Sequence, residues 1–177
     1  MDSGRSDTPS DLPAGWPVPD TAQRERHRAL LGLIRDEIES AGGAIPFSRF
    51  MELSLYAPEI GYYSAARPKF GEGGDFVTAP ELSPLFACCL ANQVAQIAAQ
   101  LSDVDILETG AGSGILAAEL LQSLEALGAA PRQYLILELS AALRAWQHQT
   151  LARHAPHLLP RVRWLNELPA GTFDGVV

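Results

Sequence analysis

The feature that most constrains the fold is a glycine-rich turn at residues 106–114, which read Ile-Leu-Glu-Thr-Gly-Ala-Gly-Ser-Gly. Its glycines occupy alternate positions, Gly110, Gly112 and Gly114, directly after an apolar run and before a helical pattern. Glycine lets the backbone turn tightly and approach a ligand, and a helix that begins there offers free N–H groups. The segment therefore predicts a strand, a turn and a helix that together form a ligand site.

The sequence around this turn predicts an α/β fold with a parallel sheet. From residue 104 onward, short apolar runs alternate with helical stretches, which is the pattern of βαβ units. Strands are expected at 104–108, 134–139, 161–165 and 173–177, and helices at 115–127 and 141–153. We therefore expect residues 102–177 to form the N-terminal part of a Rossmann-like domain that ends at its fourth strand.

A helical region precedes this domain. Four prolines among residues 1–20 predict a disordered tail, and apolar residues at helical spacing predict helices at 21–41, 47–55 and 84–101. Residues 56–82 lack helical periodicity and are rich in glycine and aromatic residues, so we expect a structured loop there. Residues 21–101 thus form one predicted helical region. The last helix is expected to bury one stripe: Phe86, Cys89, Leu90, Val94, Ile97 and Leu101.

Composition excludes several classes of partner. A formal net charge of -8 over 177 residues provides no basic surface for nucleic acid or anionic lipid. The longest apolar segment, residues 85–101, is interrupted by four amides and is too polar to span a membrane. The only two cysteines, Cys88 and Cys89, are adjacent, and we expect them to be small buried side chains in a reducing compartment. With no targeting signal in view, we expect a cytoplasmic protein without a metal.

The glycine spacing discriminates between cofactors. A dinucleotide fingerprint needs Gly-x-Gly-x-x-Gly, and a P-loop needs a lysine, yet the only lysine is the distant Lys69. The acid-x-Gly-x-Gly-x-Gly order, which begins at Glu108, is instead that of class I S-adenosylmethionine methyltransferases. Glu138 ends the next predicted strand, where a carboxylate is well placed to accept hydrogen bonds from both ribose hydroxyls. The alternatives are a plain tight turn and a solvated acid at the end of a strand.

Three upstream segments add specificity: 45–51 (Ile-Pro-Phe-Ser-Arg-Phe-Met), 56–63 (Tyr-Ala-Pro-Glu-Ile-Gly-Tyr-Tyr) and 70–83 (Phe-Gly-Glu-Gly-Gly-Asp-Phe-Val-Thr-Ala-Pro-Glu-Leu-Ser). With the glycine turn, they resemble the MidA family of methyltransferases over about residues 25–177. That family includes a mitochondrial assembly factor that methylates a protein arginine. The resemblance implies S-adenosyl-L-methionine as cofactor and a set of cofactor-binding residues: Glu108, Gly110, Ala111, Gly112, Gly114 and Glu138, with Gly74 and Thr78 in the loop that forms the pocket wall.

The sequence departs from the family pattern in two ways. Thr109 stands where an apolar residue is usual, and the chain stops in the apolar run 175–177, before the family's further strands. We therefore expect a truncated sequence whose 177 residues alone bind the cofactor weakly or not at all.

Methyl transfer from a sulfonium is an in-line displacement, for which a protein mainly supplies orientation and exclusion of water. If the acceptor is a guanidinium, carboxylates must orient it and help remove its proton, and Asp75 and Glu81 are the best candidates for these catalytic roles. Both residues also suit simple helix caps. Tyr62, Tyr63 and Phe76 either line a substrate pocket or, as we favour, anchor the loop to the core.

The sequence therefore predicts a methyltransferase that acts on a protein side chain, with arginine as the first candidate. One rival is an adapter or assembly factor that keeps the fold but acts by binding a partner. The other is a nucleotide-dependent oxidoreductase, because glycine turns are shared between these folds. The sequence gives no indication of oligomeric state.

Overall fold

The computed structural model describes residues 18–65, 74–101, 103–172 and 174–177. The predicted tail lies outside the described residues up to residue 17. The chain divides into two compact units, Met1–Ser54 and Leu55–Val177.

The described residues of the first unit contain helices. Helix α1 (Thr21–Ser40) begins at a capping box, in which Gln23 N donates to Asp20 Oδ1 at 2.7 Å and Asp20 N donates to Gln23 Oε1 at 2.8 Å. It ends before two glycines with positive φ, as the sequence predicts. Helix α2 spans Phe47–Tyr56 and so continues into the first residues of the second unit.

The second unit is built on a four-stranded parallel sheet in the order β3-β2-β1-β4. Its helices and strands, in chain order, are α3 (Ala79–Leu82), α4 (Leu85–Ala98), β1 (Asp105–Thr109), α5 (Ile115–Ala126), β2 (Gln133–Leu137), α6 (Ala141–His154), β3 (Val162–Leu165) and β4 (Gly175–Val176). Ile106 pairs with Tyr134 of β2 and with Val176 of β4. The predicted Rossmann-like α/β fold is confirmed.

Helices α5 and α6 form the two crossovers β1-α5-β2 and β2-α6-β3, and they pack against each other. Right-handed crossovers that proceed in the same direction along a sheet place their helices on the same face. Helix α5 supplies much of the core with five buried side chains: Ala117, Ala118, Leu120, Leu121 and Leu124. Because β1 and β2 are parallel neighbours, their carboxyl ends lie side by side at one edge of the sheet, and α5 begins beside them.

Of the side chains predicted to form the buried stripe of α4, Val94 is buried, and Leu90 and Leu101 are partly buried. The prediction is wrong for the other three. The helix buries Ala87, Ala91 and Val94, whereas Phe86 is 44% exposed and Ile97 is 41% exposed. Small side chains let α4 pack closely against α5, and the larger ones remain outside. The predicted burial of Cys88 and Cys89 is also wrong, because both thiols belong to exposed residues.

Within the described part of the predicted loop at 56–82, the last four residues form a short helix, α3. Pro80 stands in its first turn, and four residues are too few to show helical periodicity. Glu81 therefore lies inside α3, shortly before α4 begins at Leu85. Residues 66–73 of this segment, Phe70 and Gly73 among them, lie outside the described residues. Across the described ranges, no helix is long and apolar enough to cross a membrane.

Candidate cofactor site

The three glycines of the turn share a left-handed backbone conformation, and two of them differ in what surrounds them. All have positive φ, at 70° for Gly110, 55° for Gly112 and 83° for Gly114. A Cβ on Gly110 would meet no atom within 4 Å, so its backbone borders open space that a ligand can enter. A Cβ on Gly114 would lie 2.9 Å from the Cα of Gln147, so this glycine permits close approach of α6. Gly110 thus suits ligand contact, and Gly114 suits packing.

The residues between the glycines turn inward. Ala111 belongs to the buried core, so only its backbone can face a cofactor. The buried Ser113 donates a hydrogen bond of 2.5 Å from its hydroxyl to Oε1 of Glu81. The same oxygen of Ser113 accepts a bond of 3.3 Å from the backbone N–H of Ile115. Glu81, predicted from a distant part of the sequence, is therefore held directly at the glycine turn.

Glu138 follows β2 and is only 5% exposed, so the interpretation as a solvated acid is wrong. Its Oε1 accepts a hydrogen bond of 2.9 Å from the backbone N–H of Ser140. Its Oε2 accepts a bond of 3.0 Å from Nε2 of Gln147. A carboxylate has about four acceptor positions, so these two bonds orient the group and leave capacity for further donors.

Gln147 is a residue of the site that sequence analysis did not predict. It is fully buried, and its Nε2 also donates to the backbone oxygen of Gly112 at 3.2 Å. Its Oε1 accepts a bond of 2.9 Å from the indole Nε1 of Trp164. The only sequence signal is the spacing: Leu143, Gln147 and Leu151 follow one face of α6, where the middle position would ordinarily be apolar.

Glu108 is half-buried near the end of β1. Burial raises the pKa of its carboxyl to about 7, and a hydrogen bond of 2.8 Å from the Tyr134 hydroxyl partly opposes that rise. The motif acid therefore changes its protonation state near neutral pH.

Asp75 belongs to an aromatic cluster formed by Tyr56, Tyr62, Tyr63 and Phe76. The Tyr62 hydroxyl donates to Oδ2 of Asp75 at 2.7 Å, and the Tyr62 ring packs edge-on against Tyr63, with centroids 4.9 Å apart. The backbone oxygen of Tyr63 in turn accepts a bond of 2.7 Å from the Ser140 hydroxyl. The backbone oxygen of Tyr63, and not its ring, thus connects the segment to the end of β2. Phe76 is 44% exposed, so its predicted anchoring in the core is wrong.

Gly74 and Thr78 precede α3. Thr78 is the N-cap residue of that helix and is exposed, and its side chain makes no capping bond. The role of these two residues in cofactor binding stays a prediction.

A second acid, which interacts electrostatically with Glu81, was not predicted. Oε2 of Glu119, on α5, is buried, and no hydrogen-bond partner reaches it within the described part of the chain. Burial raises the pKa of Glu119, the charge of His154 opposes that rise, and the charge of Glu81 adds to it. The sequence places Glu119 on the predicted helix but does not reveal that the charge of Glu81 acts on its carboxyl.

Comparison with known sequences identifies the family. Residues 89–177 match the sequence profile of a family described as S-adenosyl-L-methionine-dependent methyltransferases. The chain is 32% identical over 126 residues to the Drosophila melanogaster homolog of the mitochondrial protein arginine methyltransferase NDUFAF7, and 33% identical over 87 residues to the Danio rerio protein of that name. These alignments cover 68% and 46% of this chain but 28% and 20% of the relatives. The chain thus spans less than a third of either relative.

Solved structures give the same result. A methyltransferase-like protein from Burkholderia thailandensis, crystallised with S-adenosyl-homocysteine, superposes with a TM-score of 0.80 at 51% identity. A native crystal structure from the same organism gives 0.74 at 49% identity. Both cover 90% of this chain, which spans 42% and 40% of theirs. The chain therefore belongs to this family of S-adenosyl-L-methionine-dependent methyltransferases, as its resemblance to the MidA family predicted.

Proposed function

We propose that the protein binds S-adenosyl-L-methionine at the glycine turn and transfers its methyl group to a protein side chain. The observation that carries the proposal is the buried Glu138, oriented by Ser140 and Gln147 beside the backbone of Gly112. Glycine backbone and a strand-end acid at the carboxyl edge of a parallel sheet are the usual elements of a nucleoside site. The family match and the S-adenosyl-homocysteine complex of the bacterial neighbour support it.

The residues fit the proposed cofactor. Gly110 borders open space, so its backbone can approach the ligand, and the free acceptor capacity of Glu138 suits a pair of ribose hydroxyls. Glu108, with a pKa of about 7, places an acid at the same edge of the sheet. When bound, the cofactor supplies an electrophilic methyl group on a sulfonium. The protein's part is to orient the donor and acceptor in line and to exclude water.

We propose arginine as the acceptor. Relatives named as protein arginine methyltransferases support this, as does the Glu81 carboxylate, which Ser113 holds at the turn. A carboxylate can hold a guanidinium through paired hydrogen bonds and accept its proton. Glu81 is the stronger catalytic candidate because it contacts the turn directly through Ser113. Asp75, which accepts from Tyr62, is the second candidate, at the aromatic cluster.

Calorimetric titration of S-adenosyl-L-methionine and S-adenosyl-homocysteine into the full-length protein tests the cofactor. We expect Gly112→Val to abolish binding. Gly112 has a φ of 55°, and a valine there would strain the backbone where the cofactor is proposed to bind. Gly171→Val is the matched control, since a Cβ at that exposed position meets no atom within 4 Å. A folded wild-type protein that binds neither ligand would favour the alternative function as an adapter.

Transfer of a labelled methyl group to arginine-containing and lysine-containing peptides tests the acceptor. We expect label on arginine, and we expect Glu81→Gln to lower kcat while the affinity for S-adenosyl-homocysteine changes little. Asp75→Asn provides the comparison at the second candidate. Cofactor binding without label on arginine would contradict the acceptor and leave the cofactor assignment standing.

A reducing compartment is consistent with two free, exposed cysteines, and we propose the cytoplasm. The curated relatives, by contrast, are named as mitochondrial proteins. Fractionation of cells that express the tagged full-length protein distinguishes the two locations.

A further inference from the structure

We propose that Gln147 is a positioning residue of the cofactor site, oriented by Trp164, and that it holds the ribose-binding acid and the glycine turn in one arrangement. This inference rests on the proposed function. One buried side-chain amide contacts both the Glu138 carboxylate and the Gly112 carbonyl. These two groups come from different crossover units, and Gln147 is the bridge between them.

Trp164 determines which way the amide points. An indole N–H is only a donor, so the Gln147 atom that faces Trp164 must be the acceptor Oε1. That choice directs Nε2, with its two N–H groups, toward Gly112 and Glu138, where both partners are acceptors. A flipped amide would place an oxygen against two oxygens and an N–H against an N–H. The flip is therefore strongly disfavoured.

The position of the bridge is set by packing. Gln147 is fully buried, so no solvent can replace a lost bond. Gly114 lies against the Cα and Cβ of Gln147, and its lack of a side chain lets α6 come close enough for the amide to reach Gly112. Trp164 stands on β3, the strand beyond β2, so the orientation of the acid depends on a residue outside the glycine motif.

The experiment measures the dissociation constants of S-adenosyl-homocysteine and its 2′-deoxyribose analogue for the full-length wild-type protein and three variants. Gln147→Leu removes all bonds of the bridge. Trp164→Phe keeps an aromatic ring but removes the indole N–H donor, and it provides a second variant if Gln147→Leu does not fold. Gln149→Leu is the control, because Gln149 is exposed on the same helix.

We expect Gln147→Leu to weaken S-adenosyl-homocysteine roughly tenfold or more but the deoxy analogue by only about twofold, because the bridge acts through a ribose contact. Trp164→Phe should show the same selectivity with a smaller loss of affinity, and Gln149→Leu should match the wild type. Equal weakening of both ligands by Gln147→Leu and Trp164→Phe would indicate a merely structural role and overturn the inference. Unchanged affinities would overturn it too. Failure of the wild-type protein to bind either ligand would instead reject the proposed function.

Discussion

The Tyr134 hydroxyl donates a hydrogen bond of 2.8 Å to Oε2 of Glu108, across two neighbouring parallel strands. Tyr134 is paired in register with Ile106, so its side chain reaches two positions along β1 to meet the acid. Tyr134 is 1% exposed, and burial together with the charge of Glu108 raises the pKa of its own hydroxyl well above the ordinary value. The tyrosine is therefore a neutral donor at any physiological pH.

The raised pKa of Glu108 makes stability depend on pH. The folded state favours the protonated acid, so its contribution is fully present below the unfolded pKa of 4.5 and is lost as pH rises toward about 7. We expect Glu108→Gln to match the wild type at pH 4 and to exceed it in free energy of unfolding by about 3 kcal/mol at pH 8. Urea unfolding across that range measures the difference. Parallel curves for the two proteins would contradict it.

Removal of the tyrosine hydroxyl should move this transition upward. The hydrogen bond from Tyr134 lowers the pKa of Glu108, so Tyr134→Phe should raise that pKa above about 7. Carboxyl-carbon NMR of labelled Glu108 follows the titration directly. Glu108→Gln identifies the resonance by its absence, and a pKa that falls in Tyr134→Phe would refute the assignment.

Two glycines with positive φ should differ in their tolerance of alanine. Gly114→Ala adds a Cβ at 2.9 Å from the Cα of Gln147, whereas a Cβ on Gly128 meets nothing within 4 Å. We expect Gly128→Ala to cost about 1 kcal/mol of unfolding free energy from backbone strain alone. Gly114→Ala should cost about 3 kcal/mol or more, because the backbone of α6 must also shift. Chemical denaturation measures both, and equal losses would show that the close approach is unimportant.

Arg144 donates hydrogen bonds to backbone oxygens at the ends of both β2 and β3. Its Nε lies 2.6 Å from the backbone oxygen of Glu138, and its Nη2 lies 2.6 Å from the backbone oxygen of Leu165. We expect Arg144→Met to lower the free energy of unfolding by about 2–3 kcal/mol, because two strand-end carbonyls lose a charged donor. The exposed Arg163, which donates to Oε1 of Gln133 at 3.2 Å, is the control. Thermal melts measure both variants, and Arg163→Met should cost at most about 0.5 kcal/mol.

Local patterns were sufficient for the order of helices and strands. The alternation of apolar runs and helical stretches predicted four parallel strands, and each strand is found within two residues of its expected start. The predicted positions of Glu108 and Glu138 at the ends of β1 and β2 were nearly correct, because a strand ends where its apolar run ends.

The face of α4 was not predictable in the same way. Two stripes of side chains satisfy helical spacing, and hydrophobicity favours the one with Phe86 and Ile97. The fold buries Ala87 and Ala91 because α5 packs close to α4. The distance between two helices depends on both of them, so the pattern of α4 alone does not predict it. Size, rather than hydrophobicity, decided which stripe was buried.

The sequence by itself determined the parallel sheet, the glycine turn and the strand-end acids, because each depends on residues close together along the chain. Only the tertiary structure decided that Ser113 meets Glu81, that Tyr134 meets Glu108 and that Gln147 joins Gly112 to Glu138. These pairs are 9 to 35 residues apart. Their hydrogen bonds form because the crossovers bring separate elements to one edge of the sheet. The periodicity of the sequence does not predict which side chains meet there.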